Sequence, residues 1–425
     1  MKKYLSLLVM LMMSIAMSAT IKNGNCGLYG DNVTFSLNTE TGVLRISGTG
    51  EMDNYTYTNY YNGPNVTNAP WGTYYQTITT VTISDGVTNI GRNAFSGYTK
   101  LTSITIPESV TSIGERAFNE CFTIESITIP ERVTSIGDAA FQRCANLTSI
   151  NIPKGVTSIG SYVFYICSSL TSIIIPEGVT SIWDYAFSYC PELTSINIPE
   201  SVKTIGSSVF QNCSKLTSIT IPEGVTSIGS YAFANCSKLE SISIPNSVTS
   251  IGSSVFSGCT SMSSVNIGNR IDYIPVDFVY GNTNLNEIII PDGVTSIGYS
   301  AFEGCTSLSS VEIPSSVASI GYSAFQGCTS LSSVAIPSSV ANIEKNTFRN
   351  CSNLSSVEIP SSVTSIGQYA FGDCSKLNNL SILYSDISID GTAFSGCNYI
   401  PTINISSIGA WCSNEAFRQF FGKCT

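Results

Sequence analysis

The chain repeats one pattern of apolar and polar positions every 23 residues. In the unit from 213 to 235, CSKLTSITIPEGVTSIGSYAFAN, the alternation in SITI predicts a short strand that points Ile219 and Ile221 inward. Pro222 ends this strand, and Pro-Glu-Gly is typical of a turn, since proline presets one dihedral and glycine tolerates a positive one.

The second half of the unit returns to the same core. Val225 and Ile228 re-enter it through an extended segment. The closing segment GSYAFANC carries Phe233 and Cys236 at spacings suited to one helical or 3₁₀ turn, with the phenylalanine as the large filler. Each repeat is therefore predicted to be a coil of strand, turn, extended piece and short helical turn.

Several columns hold one residue type in almost every repeat. They are isoleucine at all fourteen positions from 90 to 389, phenylalanine at thirteen of fourteen from 95 to 394, proline at eleven of twelve from 107 to 360, and cysteine at twelve of thirteen from 121 to 397. A fixed step of roughly 20 to 50 residues is the signature of a solenoid. The sequence therefore predicts stacked coils.

Stacking is required because one coil buries too little apolar surface to offset the entropy of ordering it. Neighbouring coils complete each other's core and pair their strands. We therefore predict an α/β solenoid in which one continuous parallel sheet faces short helical or 3₁₀ turns.

The cysteine column predicts buried, unbridged thiols. Equivalent side chains in stacked coils point the same way, leaving Cβ atoms about 5 Å apart where a disulfide needs about 3.8 Å. Chained disulfides are therefore disfavoured. A metal is disfavoured too, because the chain has no histidine and one cysteine per coil cannot surround an ion. Outside this column, a bridge between Cys412 and Cys424 is left open.

The N-terminal sequence MKKYLSLLVMLMMSIAMSA is typical of a signal peptide over residues 1–19, so the mature chain is expected to be secreted or on the cell surface. The alternative is a membrane anchor, but the apolar run from 4 to 13 is shorter than the ~20 residues a span requires. No transmembrane segment is expected after the signal peptide. With a net charge of −10 and no basic cluster, the chain is not expected to bind nucleic acid.

The repeat CxxLxSIxIPxxVTSIGxxAFxx resembles the BspA-like leucine-rich repeat, a bacterial surface family, from about 78 to 397. The segment CGLYGDNVTFSLNTETGVLRISGTGEMDNY, followed by APWG, resembles the leader module that often precedes these repeats, and INISSIGAWCSNEAF resembles a segment often found after them. The resemblance implies a right-handed solenoid that is secreted or surface-exposed and binds host or microbial proteins. It implies no catalytic residues.

The ends of such an array expose strand edges and need caps. We predict an N-terminal cap module over 20–77, the solenoid over 78–397 and a C-terminal cap over 398–425, which contains Trp411. A hairpin of 32–37 with 43–47 is expected in the first cap. The Tyr- and Trp-rich stretch that follows, which includes Trp71, can stack on sugars or cover the first coil. The second interpretation is favoured.

One repeat, within 260–285, departs from the pattern at four columns. The four departures are Gly268 for proline, Pro275 for glycine, Val279 for phenylalanine and Asn282 for cysteine. Two interpretations stay open: a drifted repeat, which is favoured, or a partner-contact patch. The patch would consist of Arg270, Tyr273, Asp277 and Tyr280.

The outward strand positions carry mostly small polar residues and predict a smooth face without an obvious pocket. Aromatic residues, which often anchor protein interfaces, lie instead near the predicted helical turns. They are Tyr162, Trp183, Tyr185, Tyr189 and Tyr231. Packing between coils is an equally good use for these rings. Glutamates that follow the prolines, such as Glu108 and Glu223, can attract a basic partner or calcium, but solvated surface carboxylates are the default.

These patterns favour a non-enzymatic module that binds an extracellular or cell-surface protein, such as a host matrix protein. Without histidine the usual general base and nucleophile dyads lose their most frequent member, and no phosphate or dinucleotide motif is present. No cofactor or metal is expected. The alternative is a carbohydrate-binding surface protein that uses the N-terminal Tyr and Trp stretch, and a glycosidase is more remote.

Overall fold

A computed structural model describes residues 20–58, 66–383, 387–398 and 402–405 of the chain. The predicted signal peptide, Trp411, Cys412 and Cys424 lie outside these residues. The chain divides into two compact units, Met1–Gly155 and Val156–Thr425. The predicted boundaries at 77 and 397 stay predictions.

The first unit begins with antiparallel strands and continues with parallel ones. Its strands are β1 Ile21–Gly27, β2 Gly30–Asn38, β3 Val43–Gly48, β4 Tyr57–Thr58, β5 Val66–Thr67, β6 Thr80–Ile83, β7 Asn89–Ile90, β8 Ser103–Thr105, β9 Ser112–Ile113, β10 Ser126–Ile127, β11 Ser135–Ile136 and β12 Ser149–Ile150. The predicted hairpin is confirmed, because β2 pairs antiparallel with β3. β3 then pairs parallel with β6, so the sheet order β1-β2-β3-β6-β8 joins the hairpin to the repeats.

The second unit contains only parallel pairings among its described strands. They are β13 Ser158–Ile159, β14 Ser172–Ile174, β15 Ser181–Ile182, β16 Ser195–Asn197, β17 Thr204–Ile205, β18 Ser227–Ile228, β19 Ser241–Ser243, β20 Ser250–Ile251, β21 Ser264–Asn266, β22 Tyr273–Ile274, β23 Glu287–Ile288, β24 Ser296–Ile297, β25 Ser319–Ile320, β26 Ser333–Ala335, β27 Asn342–Ile343, β28 Ser356–Ile359, β29 Ser365–Ile366, β30 Asn379–Ile382, β31 Ser388–Ile389 and β32 Thr402–Ile405. Partners lie one repeat apart, as in Ser172 with Ser195.

The parallel strands are confirmed, but the expectation of one continuous sheet is wrong. The segment predicted as merely extended is itself a strand, so the coils form two ladders, each broken into short sheets. The breaks follow from strands of two to four residues, which leave few backbone groups to pair. Just beyond the paired residues of β10 and β12, a side chain extends the pairing: the Asn151 amide donates to Ile129 O and accepts from Ile129 N.

Helical turns opposite the sheets are not confirmed. Among the described residues the one helix is the 3₁₀ segment Gly72–Tyr74, and the flank after each second-ladder strand consists of consecutive turns. There, alternate N–H groups donate to the next coil, as in Arg116 to Asp138 O (2.9 Å) and Phe118 to Ala140 O (2.8 Å). A helix would direct these donors along its own axis, within the coil.

This turn flank depends on left-handed backbone conformations at two positions in each coil. Two columns with a 23-residue step have positive φ, and most of their members are not glycine. The first column runs from Asn93 to Tyr369 and the second from Gly97 to Gly396. Ile166, with φ of 60°, is an outlier, because β-branched residues are poorly suited to this region.

The phenylalanine column fills the core of both units. In the first unit Phe95, Phe118 and Phe141 stack with ring centroids 5.5 Å apart, and Trp71 stacks on Phe95 at 5.9 Å. In the second unit the same stacking begins with Phe164 and Phe187 at 5.4 Å. These rings are fully buried, which excludes water from between successive coils.

The predicted thiol ladder is confirmed. All twelve cysteines of the column are unbridged, and eleven are buried. Typically the sulfur donates to the carbonyl of the phenylalanine 26 residues earlier, as in Cys213 Sγ to Phe187 O at 3.2 Å. Burial raises the pKa of the Cys213 thiol to about 12. The column therefore packs as small neutral side chains.

Trp71 lies in the core of the first unit. Its ring is fully buried, and Nε1 donates to Ala94 O at 3.0 Å. Tyr55 lies against it edge-on and is 6% exposed. The tryptophan therefore has no face open to a sugar. Its stacking on Phe95 fits the favoured interpretation, in which this stretch covers the first coil.

Replacing Ile166 with asparagine should raise the free energy of unfolding by about 1 kcal/mol, because the left-handed conformation costs most residues ~1–2 kcal/mol and asparagine less. Asparagine already occupies the same column at positions 212, 235 and 350. Chemical denaturation of the purified chain measures the change. Ile174→Asn, at an exposed strand position, is the matched control and should change stability by less than ~0.5 kcal/mol. A less stable Ile166→Asn variant would contradict the interpretation that the left-handed backbone at Ile166 is strained.

The thiol ladder predicts alkaline destabilisation. Because burial raises the folded-state pKa of Cys213 from 9.0 to about 12, its contribution is complete below pH 9 and is lost as pH rises towards 12. Between these two pH values, each such thiol lowers the free energy of unfolding by ~1.4 kcal/mol per pH unit. Denaturation under reducing conditions at several pH values should show a slope smaller by this amount in Cys213→Ala. Equal slopes in the two proteins would rule out this linkage.

Candidate binding surfaces

Four tyrosines on the turn flank of the second unit contact each other and form a tyrosine cluster: Tyr162, Tyr165, Tyr185 and Tyr189. The Tyr162 and Tyr185 rings are stacked with centroids 4.7 Å apart. The Tyr165 ring lies edge-on to Tyr162 at 5.4 Å and to Tyr189 at 5.8 Å. Tyr162 is 37% and Tyr189 46% exposed, so the cluster is both ordered by packing and open to a partner.

The backbone of the turn flank brings these rings together. Tyr162 and Tyr185 occupy the same left-handed column, with φ of 59° and 58°. Tyr162 N donates to Asp184 O at 3.0 Å, which fixes the register of the two coils. Burial raises the pKa of the Tyr162 hydroxyl, and the nearby ionisable groups of Tyr185, Tyr165 and Asp184 raise it further. The hydroxyl is therefore a neutral hydrogen-bonding group at neutral pH.

Trp183 stands where most coils have glycine. A Cβ added at Gly206 would lie 2.8 Å from Asp184 N, and one at Gly229 would lie 2.4 Å from Ser207 N, so this column leaves little space for side chains. The backbone of Trp183 nevertheless makes the same hydrogen bond as the glycines of this column, since Trp183 N donates to Ile159 O at 2.9 Å. Its side chain is 47% exposed. Turn chemistry does not explain a tryptophan here.

Tyr231 belongs to the same column as Tyr185 but not to the tyrosine cluster. Ser208 occupies the coil between them. Tyr231 is 46% exposed. The structure thus brings together Tyr162 and Tyr185 among the predicted contact residues, adds Tyr165, and leaves Tyr231 apart.

The residues of the irregular repeat do not form one patch. Arg270 is exposed on the turn between the two ladders, while Tyr273 lies on β22 and its hydroxyl donates to Ile251 O at 2.6 Å. Asp277 lies on the turn flank and accepts a bond from Ser254 Oγ at 3.3 Å; burial raises its pKa. Tyr280 is exposed on the same flank.

The core of this repeat has drifted by one position. Phe278 replaces the usual ring and packs edge-on against Phe256 at 5.5 Å, while the backbone keeps its register through Val279 N to Ala301 O. Asn282 is fully buried, and its Oδ1 has no hydrogen-bond partner. These features favour the interpretation of a drifted repeat.

The outward strand face is not smooth, contrary to expectation. Ile289 is 71% exposed, and a depression lies on either side of it. Glu287 borders both depressions. Sequence reasoning missed this place, although the signal was present: serine or asparagine is usual in the column of Glu287, and small polar residues are usual in that of Ile289.

Within the described ranges, no group of three or more Cys, Asp or Glu side chains is arranged to hold a metal ion. In the same part of the chain, no helix has the length and apolar character that a membrane span requires.

Parallel coils, stacked phenylalanines and a repeated 23-residue unit define a solenoid repeat protein. The model of the BspA type leucine rich repeat region matches residues 73–194, 180–309 and 295–420. The chain belongs to this family.

Solved structures of bacterial leucine-rich repeat proteins share the fold. One from Bacteroides ovatus is 28% identical, with a TM-score of 0.57 over 85% of this chain and 98% of that one. Another from Eubacterium ventriosum is 26% identical, with a TM-score of 0.51 over 89% and 95%. No curated protein matches the chain significantly.

Asn282→Cys should stabilise the protein by ~1–3 kcal/mol, because it removes a buried oxygen without a partner. The new thiol can donate to Phe256 O, which lies 26 residues earlier as in the rest of the ladder. Denaturation of the purified chain under reducing conditions measures the effect. Asn284→Cys, at an exposed position of the same coil, is the control and should be neutral. A loss of stability at 282 would show that the amide is satisfied in solution.

Proposed function

We propose that this protein is an exported, surface-exposed adhesion module without enzymatic activity, which binds other proteins through the tyrosine cluster and Trp183. The N-terminal pattern of a signal peptide and membership of the BspA type family support the location. The ligand class is an extracellular or cell-surface protein, such as a host matrix protein.

The observation that carries the proposal is the exposed aromatic group on the turn flank. Tyrosine and tryptophan are enriched among residues that dominate binding energy, because they offer large area with few rotatable bonds. Tyr162 and Tyr185 are held in place by stacking, which reduces the entropy lost on binding. Trp183 occupies a column that favours glycine, so its side chain serves no evident need of the fold.

A protein ligand is favoured over a glycan. Sugars stack on open ring faces, whereas Tyr162 and Tyr185 each have one face covered by the other ring. Trp71, on which the carbohydrate alternative relied, is buried. Asp277 and Tyr280 of the irregular repeat, which share the turn flank, remain a second candidate that does not depend on the cluster.

Trp183→Gly and Tyr185→Ser test the proposal, because each restores a residue type common in its own column. We expect both to keep wild-type stability or exceed it. Binding of the purified mature chain to a panel of matrix proteins should weaken at least ~10-fold, the loss typical of a residue that dominates an interface. Surface plasmon resonance measures the affinity, and denaturation measures stability.

Tyr231→Ser is the matched control, since it changes the same residue type in the same column outside the cluster. Its affinity should equal that of the wild type. Unchanged binding in both Trp183→Gly and Tyr185→Ser would overturn the proposal. Binding to glycans alone, lost in Trp183→Gly, would replace it with a carbohydrate-binding function.

A further inference from the structure

We propose that the strand face around Ile289 is a separate docking site for an extended, basic segment of a partner protein. An apolar side chain of the segment would rest on Ile289, and lysine or arginine side chains would pair with Glu287 and Glu312. This inference rests on the proposed function in one respect, that the ligand is a protein, and it uses a different surface.

The strand register places the three side chains together. Ile288 points into the core at 4% exposure, so Glu287 and Ile289 both project outward from the same strand segment. A bridge pairs Ile289 with Glu312 of the next coil, which puts the carboxylate beside the isoleucine. Coils pair at about 4.8 Å, within reach of one ligand side chain.

The surroundings leave room for a ligand backbone. The depression on one side of Ile289 is lined mainly by small side chains of two earlier coils, including Ser243, Ser264 and Asn266. The depression on the other side is lined by Asp292, Ser310, Glu312 and Pro314. Ile289 thus stands as a ridge between two recesses rather than as an isolated apolar residue on a flat face.

The charges select the ligand. Both depressions contain carboxylates, and no lysine or arginine lines either one. Among the described residues, Glu287, Asp292 and Glu312 form no ion pair within the chain, and they are not grouped to hold a metal. A cationic chain with apolar side chains satisfies both the carboxylates and the isoleucine.

An extended peptide matches the spacing. Alternate side chains of an extended chain lie ~6.6–6.8 Å apart on one face, the same interval as Glu287 to Ile289 along their strand. A peptide parallel to this strand would therefore place a lysine over Glu287 and an apolar residue, two positions later, over Ile289. A second lysine, two positions beyond the apolar residue, is long enough to reach Glu312.

The chain contains its own comparison. Ile174 occupies the same column, also projects outward and is 81% exposed. Ser172 stands at the position equivalent to Glu287, and Asn197, the strand partner of Ile174, stands at the position equivalent to Glu312. An exposed isoleucine therefore occurs with and without flanking carboxylates, and the proposal assigns docking only to the first.

The experiment uses the purified full chain and fluorescently labelled synthetic peptides with blocked ends, read by fluorescence anisotropy. The probe has lysine, leucine and lysine at alternate positions (KSLSK), so that all three side chains share one face, and its counterparts are KSSSK and ESLSE. We expect KSLSK to bind most tightly. Glu287→Ser with Glu312→Asn should weaken binding at least ~5-fold, as expected for two exposed ion pairs, and added salt should do the same.

Ile289→Thr should also weaken KSLSK binding, whereas Ile174→Thr and Trp183→Gly should not change it. The substituted residues are common in their columns, so folding is preserved and is checked by denaturation. Absence of KSLSK binding, equal binding of ESLSE, or equal effects at 289 and 174 would each overturn the inference. Matrix-protein binding through the tyrosine cluster can persist in that case, which separates this failure from failure of the proposed function.

Discussion

The backbone hydrogen bonds between equivalent coils are the constraint on which the rest of each unit depends. They join residues 22 or 23 positions apart, as in Phe118 N to Ala140 O on the turn flank and Ser172 with Ser195 on the strand face. Because every coil uses the same bonds, each side chain lies directly over its equivalent. Rings stack, thiols line up, and like charges would also be superimposed, which fits the low charged fraction of 11%.

The same register makes surface features from sequence columns. Tyr162 and Tyr185 stack because they are one repeat apart in a left-handed column, and Ile289 meets Glu312 because its strand segment pairs one repeat further on. The left-handed conformations are strained, and no interaction within a single residue offsets that strain. They persist because three N–H groups per coil reach the next coil only in this geometry.

Sequence reasoning reached the features that a single coil specifies. The alternation around Ile219, the inward phenylalanines and the buried thiols follow from local pattern and from the spacing of stacked Cβ atoms. The form of the turn flank does not, because left-handed residues such as Ile166 and Tyr185 have no preference for it and adopt it only through inter-coil bonds. For Trp71 the sequence left two uses open, stacking on sugars or covering the first coil, and the stacking of its ring on Phe95 fits the second. Tyr162, Trp183 and Tyr185 were identifiable as large aromatic residues, but Ile289 becomes informative only when its neighbour in the next coil is known.

Both candidate surfaces arise from changed residues in two neighbouring coils. Core positions cannot vary freely, yet the irregular repeat keeps its register even with Val279 in place of phenylalanine, since Val279 N still donates to Ala301 O. Register is thus robust to side-chain change, and outward positions are free to vary coil by coil. A stacked pair such as Tyr162 and Tyr185 requires matching residues in two coils, and the surface around Ile289 likewise combines Glu287 and Ile289 of one coil with Glu312 of the next. The surface of one coil therefore differs from that of another only where residues depart from the columns, because a residue that conforms to its column presents the same surface at every coil.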